Sequence, residues 1–400
     1  MKAVDLIDMI GNTDDRIIEE AKKKNRSVIL KWTKWAAVAA GLCLIVGGLV
    51  AITRSVGTPT DISKELPQIV IPEYESGDAG FEGVMVYSAE ELENGNPWRE
   101  DVALYTLPVF RNVGYDLFGA GVPLGENETK MIAELESAAK ELGLKILNTK
   151  TETNATKTGT GTIIPGDKAY SISAMTERGN LTIDANGSLL YELPGGSELP
   201  EGYHFTYSDS SDSEAKAAMA YLTKTYASFL NFDHPEIVLQ GEYTFSGDYI
   251  RRYLVYDSGT DMTERILNYN FRTAQFAPDD NGDLMLIRMN DGLWLAEKLG
   301  DYPLISIAEA KEKLLDGQYQ TSVPAAMPGE KFIAKVELVY RSGLREETLL
   351  PYYRFYVELQ DTDGWRMSKT SGLKTYGAYY VPAIQDDNIS NLSGYNGYYN

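Results

Sequence analysis

The sequence predicts an α+β fold with one N-terminal transmembrane helix, followed by exported antiparallel-sheet domains that each pack with a helix. Three observations support this prediction. Residues 35–53 form an apolar run long enough to cross a bilayer. Amphipathic segments with helical spacing follow it, and they are separated by alternating segments joined at Asn-Gly and Asp-Gly turns. Helices and antiparallel hairpins that succeed one another in this way are typical of α+β proteins.

The apolar run sets the predicted topology. As a helix, residues 35–53 would extend about 28 Å at roughly 1.5 Å per residue, and no charged residue lies between Lys34 and Arg54. Residues 1–34 contain 8 basic residues, and six of these, five lysines and Arg26, lie within residues 22–34. By the positive-inside rule we expect a single-pass protein of the cell membrane, with a cytoplasmic N-terminus and most of the chain outside.

Two other interpretations of residues 35–53 fit less well. A cleaved signal peptide would need a shorter basic region and a small-residue cleavage site, whereas Leu49 and Val50 precede Ala51. A lipoprotein would use Cys43 as the acylated residue, but Leu42 precedes it where a small residue is expected. The sequence therefore favours an uncleaved anchor.

Charge and composition exclude several classes of protein. The chain has a net charge of -21, and residues 1–34 carry 8 basic and 6 acidic residues, so the acidity lies in the remainder. Such a body will not bind nucleic acid through bulk charge. The 27 tyrosines and a hydrophobic content of 43% exclude disorder. The single cysteine, Cys43, excludes a disulfide framework.

The chain divides into six predicted segments. Residues 54–80 are rich in proline, glycine, serine and acidic residues, which indicates a linker. The segments are a cytoplasmic amphipathic segment (1–34), the transmembrane helix (35–53), an exported linker (54–80), two exported α+β domains (81–240 and 241–384) and a frayed tail (385–400).

Local patterns predict the elements of the body. Apolar residues at helical spacing predict helices over residues 128–143, 213–230 and 306–316. Ser213 is the expected N-cap of the second helix, and Ser306 with Glu309 forms a capping-box pattern in the third. Turn residues predict hairpins around 184–187, 278–282 and 290–292, and late strands over 332–340, 352–359 and 375–381.

Motifs that carry chemistry are scarce. His204 and His234 are the two histidines, and neither lies in a zinc-peptidase or hydrolase motif. The pattern S-x-x-K occurs at Ser137, Ser213 and Ser371, but no S-D-N element accompanies it. The acidic turn that begins at Asp279 lacks the spacing of a calcium loop. We expect no catalytic residue, no metal and no cofactor.

Two surfaces remain as candidate binding sites. Tyr352, Arg354 and Tyr356 would share one face of a strand, either as core packing or as an exposed groove for a sugar or peptide. In residues 1–34, Ile10, Ile17 and Ile18 belong to an apolar stripe. That stripe would either lie on the bilayer or dock a cytoplasmic protein.

Two stretches resemble known families. Residues 293–317 (LWLAEKLGDYPLISIAEAKEKLLDG) resemble the entry to a PepSY-type module, as in the exported YycH/YycI regulators of a wall-sensing histidine kinase. Residues 336–340, 350–355 and 379–384 resemble the strands that complete such a module, so that the likeness covers about residues 240–384. Residues 5–21, the basic stretch and the apolar run are similar to clostridial single-pass membrane proteins, some of them described as anti-sigma-like.

These resemblances imply binding and signalling without catalysis. They imply a non-enzymatic regulator that couples an exported sensor body to a cytoplasmic docking helix, with a sigma factor or a membrane histidine kinase as partner. The alternative is an envelope-anchored module that binds wall material or inhibits a peptidase. The extracytoplasmic ligand is not specified by either likeness.

Overall fold

Antiparallel strands dominate the part of the chain that the structure describes. This computed structural model describes residues 66–71, 81–113, 128–157, 163–342, 346–360 and 370–391, which belong to one compact unit. The strands are β1 (Gly83–Val86), β2 (Thr106–Asn112), β3 (Ile146–Lys157), β4 (Ile163–Thr176), β5 (Asn180–Asp184), β6 (Leu189–Ser197), β7 (Pro235–Tyr243), β8 (Tyr249–Asp257), β9 (Thr273–Pro278), β10 (Leu284–Met289), β11 (Ala296–Pro303), β12 (Gln320–Thr321), β13 (Ile333–Tyr340), β14 (Thr348–Leu349), β15 (Pro351–Glu358) and β16 (Lys374–Pro382). The helices are α1 (Glu128–Glu141), α2 (Asp212–Thr225), α3 (Ala227–Leu230), α4 (Met262–Phe271) and α5 (Ile307–Leu315).

The largest sheet has eight strands in the order β3-β4-β5-β6-β10-β9-β8-β7. Its hairpins form where the sequence predicts them. Gly187, with φ of +82°, turns the chain between β5 and β6, and Gly282, with φ of +89°, turns it between β9 and β10. Both positive φ values favour glycine. Helices α1 and α2 pack on this sheet through buried residues such as Met131 and Met219.

A second sheet joins the two ends of the described chain. Its order is β1-β16-β15-β13, and β12 also pairs with β16. The predicted late strands are confirmed as β13, β15 and β16. Helix α5 packs on β16, with Leu314 fully buried. A third sheet, β11-β2-β14, completes this part of the molecule.

The first and third predicted helices are confirmed, and the second, predicted over residues 213–230, is divided at Tyr226 into α2 and α3. The N-cap of α2 is Ser211, not Ser213, and Ser211 forms a reciprocal capping box with Glu214. In α5, the Ser306 hydroxyl accepts from the backbone N–H of Glu309, as the pattern predicts. Helix α4 was not predicted, although Asp261 and Glu264 provide a start signal, with the Asp261 side chain accepting from the Glu264 N–H.

The predicted hairpin around residues 290–292 is wrong. Strand β10 pairs with β6 and β9, whereas β11 crosses to pair with β2. The Asn290–Gly292 turn chemistry therefore redirects the chain into another sheet. A turn signal shows where the chain bends and does not show which strand it will meet.

The predicted fold class is wrong as well. Among the residues that the structure describes, antiparallel sheet predominates, with 41% strand and 22% helix, and the sheets do not form a series of α+β domains that each hold one helix. The physical reason is strand pairing between residues far apart in the sequence, since β1 pairs with β16. The predicted boundary between the two domains, at residues 240 and 241, lies within strand β7. None of the described helices is long and apolar enough to span a membrane, and the predicted span at residues 35–53 lies outside the described residues.

Part of the predicted linker lies against part of the predicted tail. Ile69 and Ile389 form a parallel bridge, and both are buried. The Asn391 side chain accepts from the Ile71 N–H at 2.9 Å and donates to the Ile71 carbonyl at 2.8 Å. These contacts attach residues 66–71 to the body.

Candidate binding cleft

A cleft of about 600 Å³ lies where the second sheet faces the β7–β9 end of the eight-stranded sheet. Strands β1, β15 and β16 contribute residues on one side, and β7 and β8 on the other. Helix α4 and the loop of residues 91–94 complete the lining. The volume is within the range of small-molecule sites.

Sheet register places three polar side chains side by side on one wall. In the antiparallel pairing, Glu337 of β13 lies opposite Arg354 of β15, and Arg354 lies opposite Tyr380 of β16. Directly opposed residues share one face of a sheet, so these side chains meet. The Arg354 Nε donates to Glu337 Oε2 at 3.1 Å, and its Nη2 donates to the same oxygen.

Glu337 is a buried carboxylate held in its charged form. It is only 1% exposed. Burial raises the pKa of its carboxyl, but Arg354 and Lys335 lower that pKa by more, so it lies below the usual value. The Lys335 Nζ forms an ion pair with Glu337 Oε1 at 2.9 Å. A carboxylate compensated in this way is a structural anion and not an acid catalyst.

Asn94 connects the two walls. Its side-chain Nδ2 donates to Glu337 Oε2 at 3.1 Å. Its backbone carbonyl accepts from Gln240 Nε2 of β7 at 3.2 Å and from the Tyr269 hydroxyl of α4 at 3.1 Å. One residue of the 91–94 loop thus joins both sheets and the helix between them.

Tyrosines supply much of the cleft surface. Tyr356 lies two residues after Arg354 in β15, so the two side chains are on the same face of the sheet. The Arg354 guanidinium lies 4.9 Å from the Tyr356 ring centroid. Burial is the main cause that raises the pKa of Tyr269, Tyr356 and Tyr380. These phenols therefore remain neutral at physiological pH and can act as hydrogen-bonding groups and apolar ring surfaces.

Charged residues that line the cleft are paired within the protein, apart from two exposed glutamates. Arg252 donates to Glu242 at 2.7 Å, and both residues line the cleft. Glu82 pairs with Arg341, whose guanidinium also lies 4.7 Å from the Tyr380 ring centroid. Glu91 and Glu93 are exposed lining residues, so solvent screens them. The cleft therefore offers paired charges, amides and phenols.

The sequence predicted part of this site. Arg354 and Tyr356, two residues of the predicted strand face, line the cleft, whereas Tyr352 is fully buried beside them. Glu337 and Asn94 were missed. Two local features of the sequence could have drawn attention to them. Glu337 is a charged residue within the apolar strand β13, and Asn94 lies in the Asn-Gly-Asn-Pro turn of residues 94–97.

The catalytic motifs considered in the sequence do not converge here. The serines of the three S-x-x-K patterns, Ser137, Ser213 and Ser371, are exposed and lie outside the cleft lining. No histidine, cysteine or serine is among the described residues that line the cleft. Across the described part of the chain, no group of three or more histidine, cysteine, aspartate or glutamate side chains could hold a metal ion.

The acidic turn at Asp279 is a hairpin turn. Its Oδ1 accepts from the backbone N–H groups of Asn281 and Asp283, at 2.8 and 3.0 Å. These bonds, with that of Asp283 foremost, lower the pKa of Asp279. The Asp279 carboxylate therefore stabilises the turn between β9 and β10 by accepting hydrogen bonds from its backbone.

Comparison with protein-family models, curated proteins and solved structures finds no match. The likeness to PepSY-type modules and to clostridial membrane proteins stays a prediction. Ile10, Ile17 and Ile18, the predicted partner-docking residues, lie outside the described residues, and the predicted sigma-factor or kinase partner stays a prediction with them.

Proposed function

We propose that the chain is a non-enzymatic binding protein whose cleft takes an uncharged, polyhydroxylated ligand. The observation that supports this proposal is internal charge compensation. Glu337 holds Arg354 and Glu242 holds Arg252, so an ionic ligand would have to compete with an existing partner. Displacing Glu337 from Arg354 would leave a buried charge uncompensated, which is strongly unfavourable, whereas the Arg252–Glu242 pair is more exposed and offers a weaker barrier.

Hydroxyl groups suit the same cleft without disturbing those pairs. A hydroxyl both donates and accepts, so it can bond to a carboxylate oxygen, a guanidinium N–H or an amide. Gln240 and Asn94 place amide groups on one side, and Tyr356 places a ring on the other. Apolar ring surface with a few fixed polar groups is the usual composition of small-molecule sites.

A titration of the full chain tests this function. The probes are N-acetylglucosamine, glucose and inositol as neutral ligands, with glutamate, spermidine and ATP as charged ones. The blocking variant is Leu254→Trp, because Leu254 is a half-buried lining residue of β8 and an indole there would fill the cleft. Leu147→Trp is the matched control, since Leu147 is 54% exposed on β3.

We expect a neutral probe to bind, with at least tenfold weaker binding to Leu254→Trp and unchanged binding to Leu147→Trp. Circular dichroism should show that both variants are folded. Binding of a charged probe that Leu254→Trp abolishes would contradict the proposed ligand class. Binding that Leu254→Trp leaves unchanged would show that the cleft is not the site.

The second candidate function is regulation through residues 1–34. The spacing of Ile10, Ile17 and Ile18, next to a basic stretch, favours it, because docking helices present apolar residues at such positions. Exchange of residues 3–21 for an unrelated amphipathic sequence should then abolish recovery of a cytoplasmic partner without changing ligand binding. Unchanged recovery would exclude this function and leave the binding proposal intact.

A further inference from the structure

Three tyrosines form a continuous group at the β7–β8 hairpin end. The ring centroids of Tyr87 and Tyr243 are 4.9 Å apart, and those of Tyr243 and Tyr249 are 5.2 Å apart. Tyr243 and Tyr249 are paired across the hairpin, and Tyr87 directly follows β1. Tyr87 is 39% exposed, so part of its ring is open to solvent. We call these three residues the tyrosine ladder.

The tyrosine ladder begins at the mouth of the cleft. Gly241 and Glu242 line the cleft and immediately precede Tyr243 in β7. The Tyr249 phenol lies directly over Gly241: a Cβ there would sit 2.0 Å from the Tyr249 Oη, so a larger residue would displace the Tyr249 ring. On the opposite side, Gly83 and Val84 of β1 line the cleft. The ladder therefore continues the cleft outward.

Hairpin packing explains only part of this arrangement. Edge-on contacts between Tyr87, Tyr243 and Tyr249 stabilise the hairpin end. Packing does not require Tyr87 to keep ring surface exposed to solvent next to a polar cleft, whereas Tyr243 and Tyr249 are half-buried. The ring surface that Tyr87 leaves exposed is available to a ligand that emerges from the cleft.

An extended peptide fits this surface less well than a sugar chain. A peptide would bind most readily by adding a strand to a sheet edge. The tyrosine ladder presents side-chain rings and not backbone groups, and Tyr243 and Tyr249 are already paired with each other across the β7–β8 hairpin. The neutral rings of the ladder instead suit the apolar faces of sugar rings, which need no strand edge.

We propose that Tyr87, Tyr243 and Tyr249 form an outer subsite of the cleft, so that the ligand is a neutral oligosaccharide whose end enters the cleft and whose following units stack on the ladder. This inference rests on the proposed function of the cleft. It predicts that affinity increases with the number of sugar units and that Tyr87, Tyr243 and Tyr249 are responsible for the increase.

The test is a titration of the full chain with β-1,4-linked N-acetylglucosamine oligomers and with maltooligosaccharides, each from one to six units. The ladder variant is Tyr87→Ser, and Tyr87→Phe is the conservative variant that retains the ring. Tyr105→Ser is the matched control, because Tyr105 is 80% exposed and lies outside the ladder. Leu254→Trp blocks the cleft itself.

For one of the two series we expect affinity to rise with chain length in the natural protein, in Tyr87→Phe and in Tyr105→Ser. Tyr87→Ser should bind the longer oligomers about three- to tenfold more weakly and leave the single sugar unchanged, as expected for loss of one ring contact. Equal loss for every length, or no loss at any length, would overturn the outer subsite.

The two proposals fail differently. If a single sugar binds, Leu254→Trp prevents this binding and longer oligomers bind no more tightly, the outer subsite is contradicted. The proposed function of the cleft is then retained. Absence of binding by any sugar of either series would overturn the outer subsite, and it would overturn the cleft proposal too if inositol also fails to bind. A cationic or peptide ligand that loses affinity in Tyr87→Ser would replace the oligosaccharide.

Discussion

At the scale of single residues, Glu337 is the side chain whose environment is most unusual. It is a charged group in an apolar strand, and its exposure is 1%. Its partners come from two other elements, Arg354 on β15 and Asn94 in a loop. This arrangement fixes one wall of the cleft and pairs the charge of Arg354 within the protein.

Removing the charge of Glu337 should destabilise the fold. Glu337→Gln leaves Arg354 and Lys335 without their counter-charge, and we expect a loss of about 3 kcal/mol, the low end for buried pairs because both cations are partly exposed. Glu297→Gln is the control, since its ion pair with Arg111 is exposed, and it should cost less than about 1 kcal/mol. Denaturant unfolding measures both, and equal losses would contradict the account.

The same carboxylate predicts a direction of pH dependence. Because the pKa of Glu337 is lowered in the folded protein, its contribution to stability is complete above the unfolded pKa of about 4.3 and is lost as the pH falls towards the folded value. Unfolding measured between pH 6 and pH 3 should therefore show a smaller acid-induced loss in Glu337→Gln than in the natural protein. Identical losses would show that this group is not responsible.

At the scale of elements, the loop of residues 91–98 holds the two sheets together. Lys335 donates to the Leu92 carbonyl, and Asn96 Nδ2 donates to the Leu338 carbonyl at 3.2 Å, so the loop covers the edge of β13. Gly95 meets the Val238 side chain of β7 on the other side. The shape of the cleft depends on this loop.

Gly95→Ala tests the fit of the loop. A Cβ there would lie 2.6 Å from Val238 Cγ1, in addition to the strain of a φ of +73°. Gly202→Ala has the strain alone, because φ is +97° and nothing lies within 4 Å. We expect Gly95→Ala to lower the unfolding free energy by clearly more than Gly202→Ala does. Equal losses would show that contact between residue 95 and Val238 does not contribute to stability.

Helix α5 offers a matched pair of neighbours for testing the helical pattern. Leu314 is 0% exposed, whereas Leu315 is 44% exposed. Leu314→Ala should lower the unfolding free energy by about 2–5 kcal/mol, and Leu315→Ala by less than about 1 kcal/mol. Similar effects of the two substitutions would contradict the packing of α5 on β16.

These elements also show what local sequence can and cannot predict. The β5–β6 and β9–β10 hairpins follow from their turns, and α5 follows from Ser306 and its apolar spacing. Helix α4 was missed because its apolar stripe is short, although it supplies Tyr269 to the cleft. The contact between Asn94 and Glu337 joins residues 243 positions apart, and no local pattern specifies it.

At the scale of the whole molecule, the two ends of the described chain close the fold. Strand β1 pairs with β16, and residues 66–71 pair with the segment after Ile384. The cleft lies between sheets that this closure brings together, so its walls come from distant parts of the sequence. That is why strand patterns predicted Arg354 and Tyr356 on one face but not the second wall.

The central claim is that the cleft between the sheets is the ligand site, and hydrogen–deuterium exchange of the full chain tests it most directly. With saturating N-acetylglucosamine trimer, we predict slower exchange in residues 91–98, 238–243 and 352–357, which line or support the cleft, and unchanged exchange in residues 146–153 of the remote strand β3. Protection confined to other segments, or no protection in any of the three, would contradict the claim.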